Sequence, residues 1–170
     1  MKQTKYLILS ALFAVLTALG ALIRIPLPVS SVTLQTFFCA MAGLLLGSRW
    51  GALSQLVYLL LGLVGLPVFT TGGGFGAFVA PTGGFLLALV PMAWVAGKVR
   101  AGALRACLLG LGVLYAIGLP YMHLMVTVYL QRPWSVWQTF LYGMILVLPW
   151  DILKMVLAAW LCKKIRPRIL

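Results

Sequence analysis

Long apolar stretches separated by short polar or glycine-containing breaks dominate the chain. These stretches cover approximately residues 5–23, 33–48, 50–66, 82–98, 104–130 and 139–162. A helix needs about 20 apolar residues to cross the hydrocarbon of a bilayer, so each stretch is a candidate membrane span, although the second and third are short. The glycines and polar residues of Gly47–Gly51 predict a tight turn between those two. We therefore predict an all-α integral membrane protein with six transmembrane helices.

The basic residues indicate how these helices are oriented. With six crossings, the side that carries both termini also carries most of the basic residues, namely Lys2, Lys5, Arg49, Lys98, Arg100, Arg105, Lys163, Lys164, Arg166 and Arg168. The opposite side has only Arg24 and Arg132. Because cytoplasmic loops of membrane proteins are enriched in Lys and Arg, we predict that both termini lie in the cytoplasm.

Composition supports a membrane protein and argues against several other classes. The chain is 64% hydrophobic and 8% charged, whereas a soluble domain carries about 25% charged residues. Its net charge of +12 does not predict nucleic-acid binding, because the basic residues lie between apolar segments rather than along one face. We predict a single domain over residues 1–170.

Residue types that would support catalysis or a cofactor are scarce. Cys39, Cys107 and Cys162 are far apart and suggest neither a metal site nor a disulfide framework. The chain has no phosphate-binding Gly-Lys-Ser/Thr loop, and its single His123 has no Cys, Asp or second His nearby. We predict that the protein is not an enzyme and uses no cofactor or metal.

Asp151 is the most informative candidate, since it is the only acidic side chain and lies midway along an apolar segment. Lys154 follows three residues later, on the same face of a helix. A charge at bilayer depth costs about 2.5–3.5 kcal/mol on insertion scales, and such groups usually mark substrate or ion sites. We predict a binding site here, with Trp150 as a wall or an interfacial anchor. The alternative is that Asp151 and Lys154 form a pair that only neutralises itself.

Two loops on the side opposite the termini contribute further candidates. Pro26 and Pro28 favour extended backbone in the first loop. The second loop, Gly65–Gly84, is uncharged and rich in glycine, with aromatic residues that include Phe69. Its backbone amides could bond a ligand and its rings could cover it, so we predict an outer lid loop. A packed plug with no ligand is the alternative.

Helix starts beside these loops supply the remaining candidates. Thr33 and Gln35 open the second segment, where Thr33 could either cap the helix or contact a ligand. Thr82, Gly83 and Gly84 open the fourth, and the amides at a helix N-terminus suit a carboxylate or another acceptor.

Small residues form a stripe on the first helix. Ser10, Ala14 and Ala18 recur every four residues, and such faces let helices approach closely. The stripe could meet a partner subunit, or it could pack inside the protein; the sequence does not decide between these alternatives.

Several motifs occur together and in order, at Ile25–Pro28, Val32–Thr36, Ala42–Gly47, Gly62–Phe69, Gly72–Gly74, Pro81–Phe85 and Asp151–Lys154. Together they resemble the BioY family, the biotin-specific S-components of energy-coupling factor (ECF) transporters. The resemblance extends over about residues 5–165 and is weakest over residues 101–139.

The resemblance implies a six-helix S-component in a bacterial cytoplasmic (plasma) membrane that binds biotin at its outer side. Such a protein works with a transmembrane coupling subunit and two cytosolic ATPases. Asp151 and Lys154 match the polar pair that holds biotin, and residues 72–84 match the substrate lid, to which Gly73 and Gly74 belong. Phe85 completes the motif that begins at Pro81.

The same resemblance assigns the stripe on the first helix to the coupling subunit. An S-component for another vitamin or small carboxylate is the alternative function. A stand-alone facilitator that works without ATPases is a third.

Overall fold

The computed structural model of the chain describes residues 2–27 and 30–169, so Pro28 lies outside the described residues. Its elements follow one another as α1 (Lys2–Leu22), β1 (Arg24–Pro26), β2 (Ser31–Thr33), α2 (Gln35–Leu63), α3 (Gly76–Val79), α4 (Gly83–Lys98), α5 (Ala103–Leu124), α6 (Val136–Phe140) and α7 (Leu148–Ile169). A turn of π-helix follows α5 at Met125–Tyr129, and another follows α6 at Leu141–Ile145.

Helix α2 is a hairpin whose chain reverses at Gly47. The side chains of Gln35 and Tyr58 are 23 positions apart, yet Gln35 Nε2 lies 2.7 Å from Tyr58 Oη. A straight helix would separate their backbones by about 34 Å. Gly47 has φ 81° and ψ 177°, and a Cβ built on Gly51 would lie 2.8 Å from the Cα of Gly43. Residues 35–46 and 48–63 therefore form two closely packed antiparallel arms.

Four helical stretches of the described residues are long and apolar enough to cross a membrane: Gln3–Leu22, Gln35–Leu63, Ala103–Tyr129 and Val136–Ile165. The apolar helix Gly83–Lys98 is shorter. The expected number was six. Two features account for the difference. The two arms of α2 are joined without a break and are therefore counted as one helix, and α4, with only 16 residues, is shorter than the other four.

A small antiparallel sheet corrects the all-α prediction. Strands β1 and β2 pair with Arg24 opposite Thr33 and Pro26 opposite Ser31. The second helix was predicted to begin at residue 33, but it begins at Gln35, and Thr33 ends a strand. The β-branched pair Val32 and Thr33 suits extended backbone, and the Pro26 nitrogen has no hydrogen to donate to a ladder.

The last predicted segment, residues 139–162, is also interrupted. Helix α6 begins at Val136, where Ser135 and Gln138 form a capping box. The chain then passes through the π-helical turn and starts again at Leu148. Pro149 lies in the first turn of α7, where the missing N–H removes no intrahelical bond.

The helices pack through small residues. Gly43 meets the Ala93 carbonyl of α4, Gly97 meets the backbone of Ser48, and Gly118 of α5 meets the ring of Phe85. Such residues allow close helix packing where lipid supplies no hydrophobic drive between helices. Large apolar side chains cover the outer surface instead, among them Leu7, Ile8, Leu12, Val15, Leu19, Val128, Trp137, Leu153, Leu157 and Trp160.

We expect Gly47→Ala to destabilise the fold by about 1–3 kcal/mol, since its backbone angles lie in a region that is essentially restricted to glycine. The matched control is Gly112→Ala. A Cβ at either position meets nothing within 4 Å, but Gly112 has ordinary helical backbone. Thermal unfolding in detergent should therefore show a loss for Gly47→Ala only. Equal effects of the two substitutions would contradict a backbone requirement at the hairpin.

Candidate functional site

A cavity of about 200 Å³ lies between the β1–β2 hairpin, the glycine-rich loop and helices α2, α4, α5 and α7. Its polar lining consists of Arg24, Ser30, Ser31, Thr33, Gln35, Thr36, Thr70, Thr71, Thr82, Tyr115, Asp151 and Lys154. Its apolar lining consists of Leu27, Phe85, Leu86, Leu89, Leu114, Gly143 and Val147. An apolar wall that faces a few polar groups is the usual composition of a small-molecule site.

An ion pair lies at the buried side of this cavity. Lys154 Nζ is 2.5 Å from Asp151 Oδ1, and the two residues are 6% and 2% exposed. Their spacing on α7 places both side chains on one face. Asp151 lies in the first turn of α7, where the helix dipole favours a negative charge.

Contacts from the end of β2 and from the first turn of α2 complete the coordination of Lys154. Its ammonium donates to the Thr33 carbonyl at 2.7 Å and to Thr36 Oγ1 at 2.8 Å, in addition to the bond with Asp151. An ammonium has three N–H donors, so all of them are engaged within the chain.

Both carboxylate oxygens of Asp151 also accept hydrogen bonds. Oδ1 accepts from Lys154 and from Thr36 Oγ1 at 3.2 Å, and Oδ2 accepts from Tyr115 Oη at 2.5 Å. Phe85 packs edge-on against the Tyr115 ring, with 6.3 Å between ring centroids. A buried ion pair needs hydrogen bonds to its other donors and acceptors, and here every donor of Lys154 and both oxygens of Asp151 have a partner.

The network leaves acceptors rather than donors for a ligand. A carboxylate offers about four lone-pair positions, and three are used on Asp151. The Tyr115 oxygen donates its hydrogen to Asp151 and keeps its own acceptor capacity. The buried side of the cavity is therefore suited to a neutral group with N–H donors.

Six of the predicted site residues line the cavity together: Thr33, Gln35, Thr82, Phe85, Asp151 and Lys154. Gln35 connects the second arm of α2 with the end of β2. Its amide donates to Tyr58 Oη, and its Oε1 accepts from Thr33 Oγ1 at 3.0 Å. Gln35 thus helps to hold Thr33 beside Lys154.

The glycines and Phe69 of the predicted lid lie elsewhere. The Phe69 ring is 2% exposed and packs edge-on against Tyr58 and Phe78. Gly73 packs on the Leu66 carbonyl, and the Gly74 N–H donates to the Gly62 carbonyl at 2.7 Å. These residues shape the loop rather than line the cavity.

Gly83, Gly84 and Trp150 also stand outside the lining. Gly83 packs against the Phe78 carbonyl, and Gly84 packs against the Tyr121 side chain. Trp150 is 50% exposed on the outer surface of α7. Its position fits the interfacial-anchor alternative better than a cavity wall.

The small-residue stripe of α1 lies largely inside the protein. Ser10 is 2% exposed and donates to the Trp50 carbonyl at 3.1 Å, and Ala14 is 1% exposed. Ala18 is half-buried on the same side. The chain's own α2 covers this face, which favours internal packing over contact with a partner.

Sequence reasoning missed several residues that line the cavity. Tyr115 lies in the stretch where the motifs were weakest, and no local pattern relates it to Asp151. Arg24 was interpreted only as a topology signal, and Thr70 and Thr71 only as part of an uncharged loop. The polar character of Thr70 and Thr71 beside the glycines was the one signal that could have identified them.

Comparison with known proteins identifies the family of the chain. A model of the BioY family matches residues 1–170. The chain belongs to the BioY family. Its relatives include the probable biotin transporter BioY of Lysinibacillus sphaericus, which is 41% identical over 152 residues, covering 85% of this chain and 78% of that protein. The biotin transporter BioY of Thermotoga maritima is 32% identical over 169 residues, covering 95% of this chain and 96% of that protein.

The fold is also similar to that of a solved structure. This BioY chain is similar to the crystal structure of the S-component for biotin from an ECF-type ABC transporter, with a TM-score of 0.84 and 26% identity. The match covers 98% of this chain and 93% of that one. The resemblance inferred from the motifs is confirmed, and the named relatives are transporters rather than enzymes.

We expect Lys154→Met to destabilise the fold by about 3–5 kcal/mol, because it leaves the Asp151 charge buried without compensation. The double variant Asp151→Asn with Lys154→Met should lose less, since no charge remains. Lys163→Met, at an exposed position of α7, is the control and should have little effect. Thermal unfolding in detergent measures all three variants. A double variant that is less stable than Lys154→Met would show that the pair is not electrostatically coupled.

Proposed function

We propose that this protein is a high-affinity biotin-binding membrane subunit that mediates biotin uptake. The observation that carries the proposal is the complete Asp151–Lys154 network, with Tyr115 and Thr36, at the buried side of a cavity with an apolar wall. The names of the BioY relatives indicate biotin as the substrate, and the polar groups of the network could form hydrogen bonds with it.

The chemistry of biotin fits the two kinds of lining. Its ureido ring carries N–H groups on both nitrogens, which Asp151 Oδ2 and the Tyr115 oxygen can accept. Its thioether ring and valeryl chain are apolar, and they suit the wall formed by residues such as Phe85, Leu86 and Leu89.

The proposed topology has six membrane crossings with both termini in the cytoplasm. The arms of α2 and the short α4 count as separate crossings in this arrangement, and it agrees with the uneven distribution of basic residues. The membrane is the bacterial cytoplasmic membrane, whose lipid contacts the apolar outer surface. A transmembrane coupling subunit and two cytosolic ATPases supply the energy for uptake.

Biotin titration by calorimetry on the purified, detergent-solubilised protein tests the binding function. We expect one-to-one binding by the wild type, which Asp151→Asn abolishes because the variant loses the charge that holds the network. Retention of tight binding in Asp151→Asn would defeat the site assignment. Binding of a different vitamin in competition with biotin would favour the alternative substrate class.

We expect Tyr115→Phe to weaken biotin binding by about tenfold, since the substitution removes a hydroxyl that both orients Asp151 and accepts from the ligand. Tyr129→Phe is the matched control, because it removes a hydroxyl from a ring that is 63% exposed and away from the cavity. Equal affinities of Tyr115→Phe and the wild type would exclude the hydroxyl from recognition.

Uptake in liposomes tests the energy source. We expect ATP-dependent biotin uptake only when the coupling subunit and ATPases are present. An exposed small residue on α1, Ala11, is the appropriate position to probe coupling, because the buried Ala14 would disturb the fold instead. Uptake by the protein alone would favour a stand-alone facilitator.

A further inference from the structure

The cavity contains a second cation besides Lys154, and it lies where solvent reaches the site. Arg24 of β1 lines the cavity and is exposed, whereas Asp151 and Lys154 are buried. Its Nη1 donates to the Thr70 carbonyl and so connects the hairpin to the glycine-rich loop. The polar lining therefore has a buried, neutralised side and an open side that carries an arginine.

The charges of the lining do not cancel. Three ionised side chains line the cavity: Arg24, Asp151 and Lys154. Asp151 and Lys154 are in direct contact and neutralise one another. Arg24 donates to a neutral carbonyl, so its charge is uncompensated, and the lining carries a net charge of +1. A ligand with a single negative charge would bring the total charge of the occupied site to zero.

Hydrogen-bonding capacity distinguishes the two cations. All three N–H donors of Lys154 are engaged, so an anion could bind there only by displacing one of its partners. A guanidinium has five N–H donors in a planar fork that matches a carboxylate. Among the described residues Arg24 uses one of them on the Thr70 carbonyl, which leaves the remainder for a ligand.

Hydroxyl groups lie on the same lining. Thr70, Thr71 and Thr82 line the cavity, and their hydroxyls make no hydrogen bond with the described part of the chain. Thr82 precedes α4 without capping it through its side chain. These hydroxyls could donate hydrogen bonds to a ligand in the part of the cavity that is less buried than the ion pair.

We infer that Arg24, assisted by these threonines, recognises the carboxylate of the ligand. The inference rests on the proposed function and adds an orientation to it. The carboxylate of biotin lies at the solvent-reached side beside Arg24, and the neutral ureido ring lies at the buried side beside Asp151 and Tyr115. Arg24 is thus the residue that selects an acid over its uncharged derivatives.

Comparison of biotin with biotinamide tests this inference, because the amide keeps the rings and the chain but has no negative charge. The wild type should bind biotin more tightly than biotinamide. Arg24→Gln should weaken biotin binding by about tenfold and leave biotinamide nearly unchanged, since a charge-assisted bond at an exposed site is partly screened by water. Arg24→Lys should retain part of the preference.

Arg132→Gln is the matched control, because it removes the same charge from an exposed position outside the cavity lining and should leave both affinities unchanged. If Arg24→Gln prefers biotin over biotinamide by the same factor as the wild type does, the inference is overturned. An equal loss for both ligands also overturns it, since Arg24 would then act only through its contact with Thr70. Absence of binding of either ligand to the folded wild type defeats the proposed function, and the inference with it.

Discussion

The burial of two opposite charges on α7 constrains the arrangement of the surrounding helices. Asp151 and Lys154 are neighbours on one helix face, so their contact alone requires nothing from the rest of the chain. Their remaining hydrogen-bonding groups do require partners, and these come from Thr33 at the end of β2, Thr36 on α2 and Tyr115 on α5. Any displacement of α2 or α5 along α7 would leave hydrogen-bonding groups of the ion pair unsatisfied in an apolar interior.

The hairpin in α2 explains how one segment can contribute to the site and also pack against four other helices, α1, α4, α5 and α7. Gly47 turns the chain, which brings Tyr58 on the second arm beside Gln35 at the start of the first. The same Gln35 bonds Thr33, whose carbonyl accepts from Lys154. The second arm of α2, the strand end and the ion pair are therefore linked by a continuous series of hydrogen bonds. The stability of the turn affects the geometry of the cavity.

Features that depend on local spacing were predictable from the sequence, and features that depend on tertiary register were not. The positions of Asp151 and Lys154 on one face follow from helical periodicity, and the turn near Gly47 follows from its glycine. The strand at Thr33 depends on pairing with Arg24 across a loop, which no local pattern specifies. Tyr115 meets Asp151 only because two distant helices pack in one particular register. Gly73 was expected at a ligand, but dense glycine indicates close backbone packing equally well.

The completeness of the Asp151–Lys154 network has a consequence for how tightly and how reversibly a ligand is held. Because each donor of Lys154 has a partner within the chain, the recognising groups are pre-organised, and little binding energy is lost in ordering them. Thr33 belongs to β2 and Thr36 to α2, which follow one another directly, so a shift of these two elements relative to α7 would withdraw both partners together. Tight holding of a ligand at this site is therefore coupled to the position of α2 relative to α7.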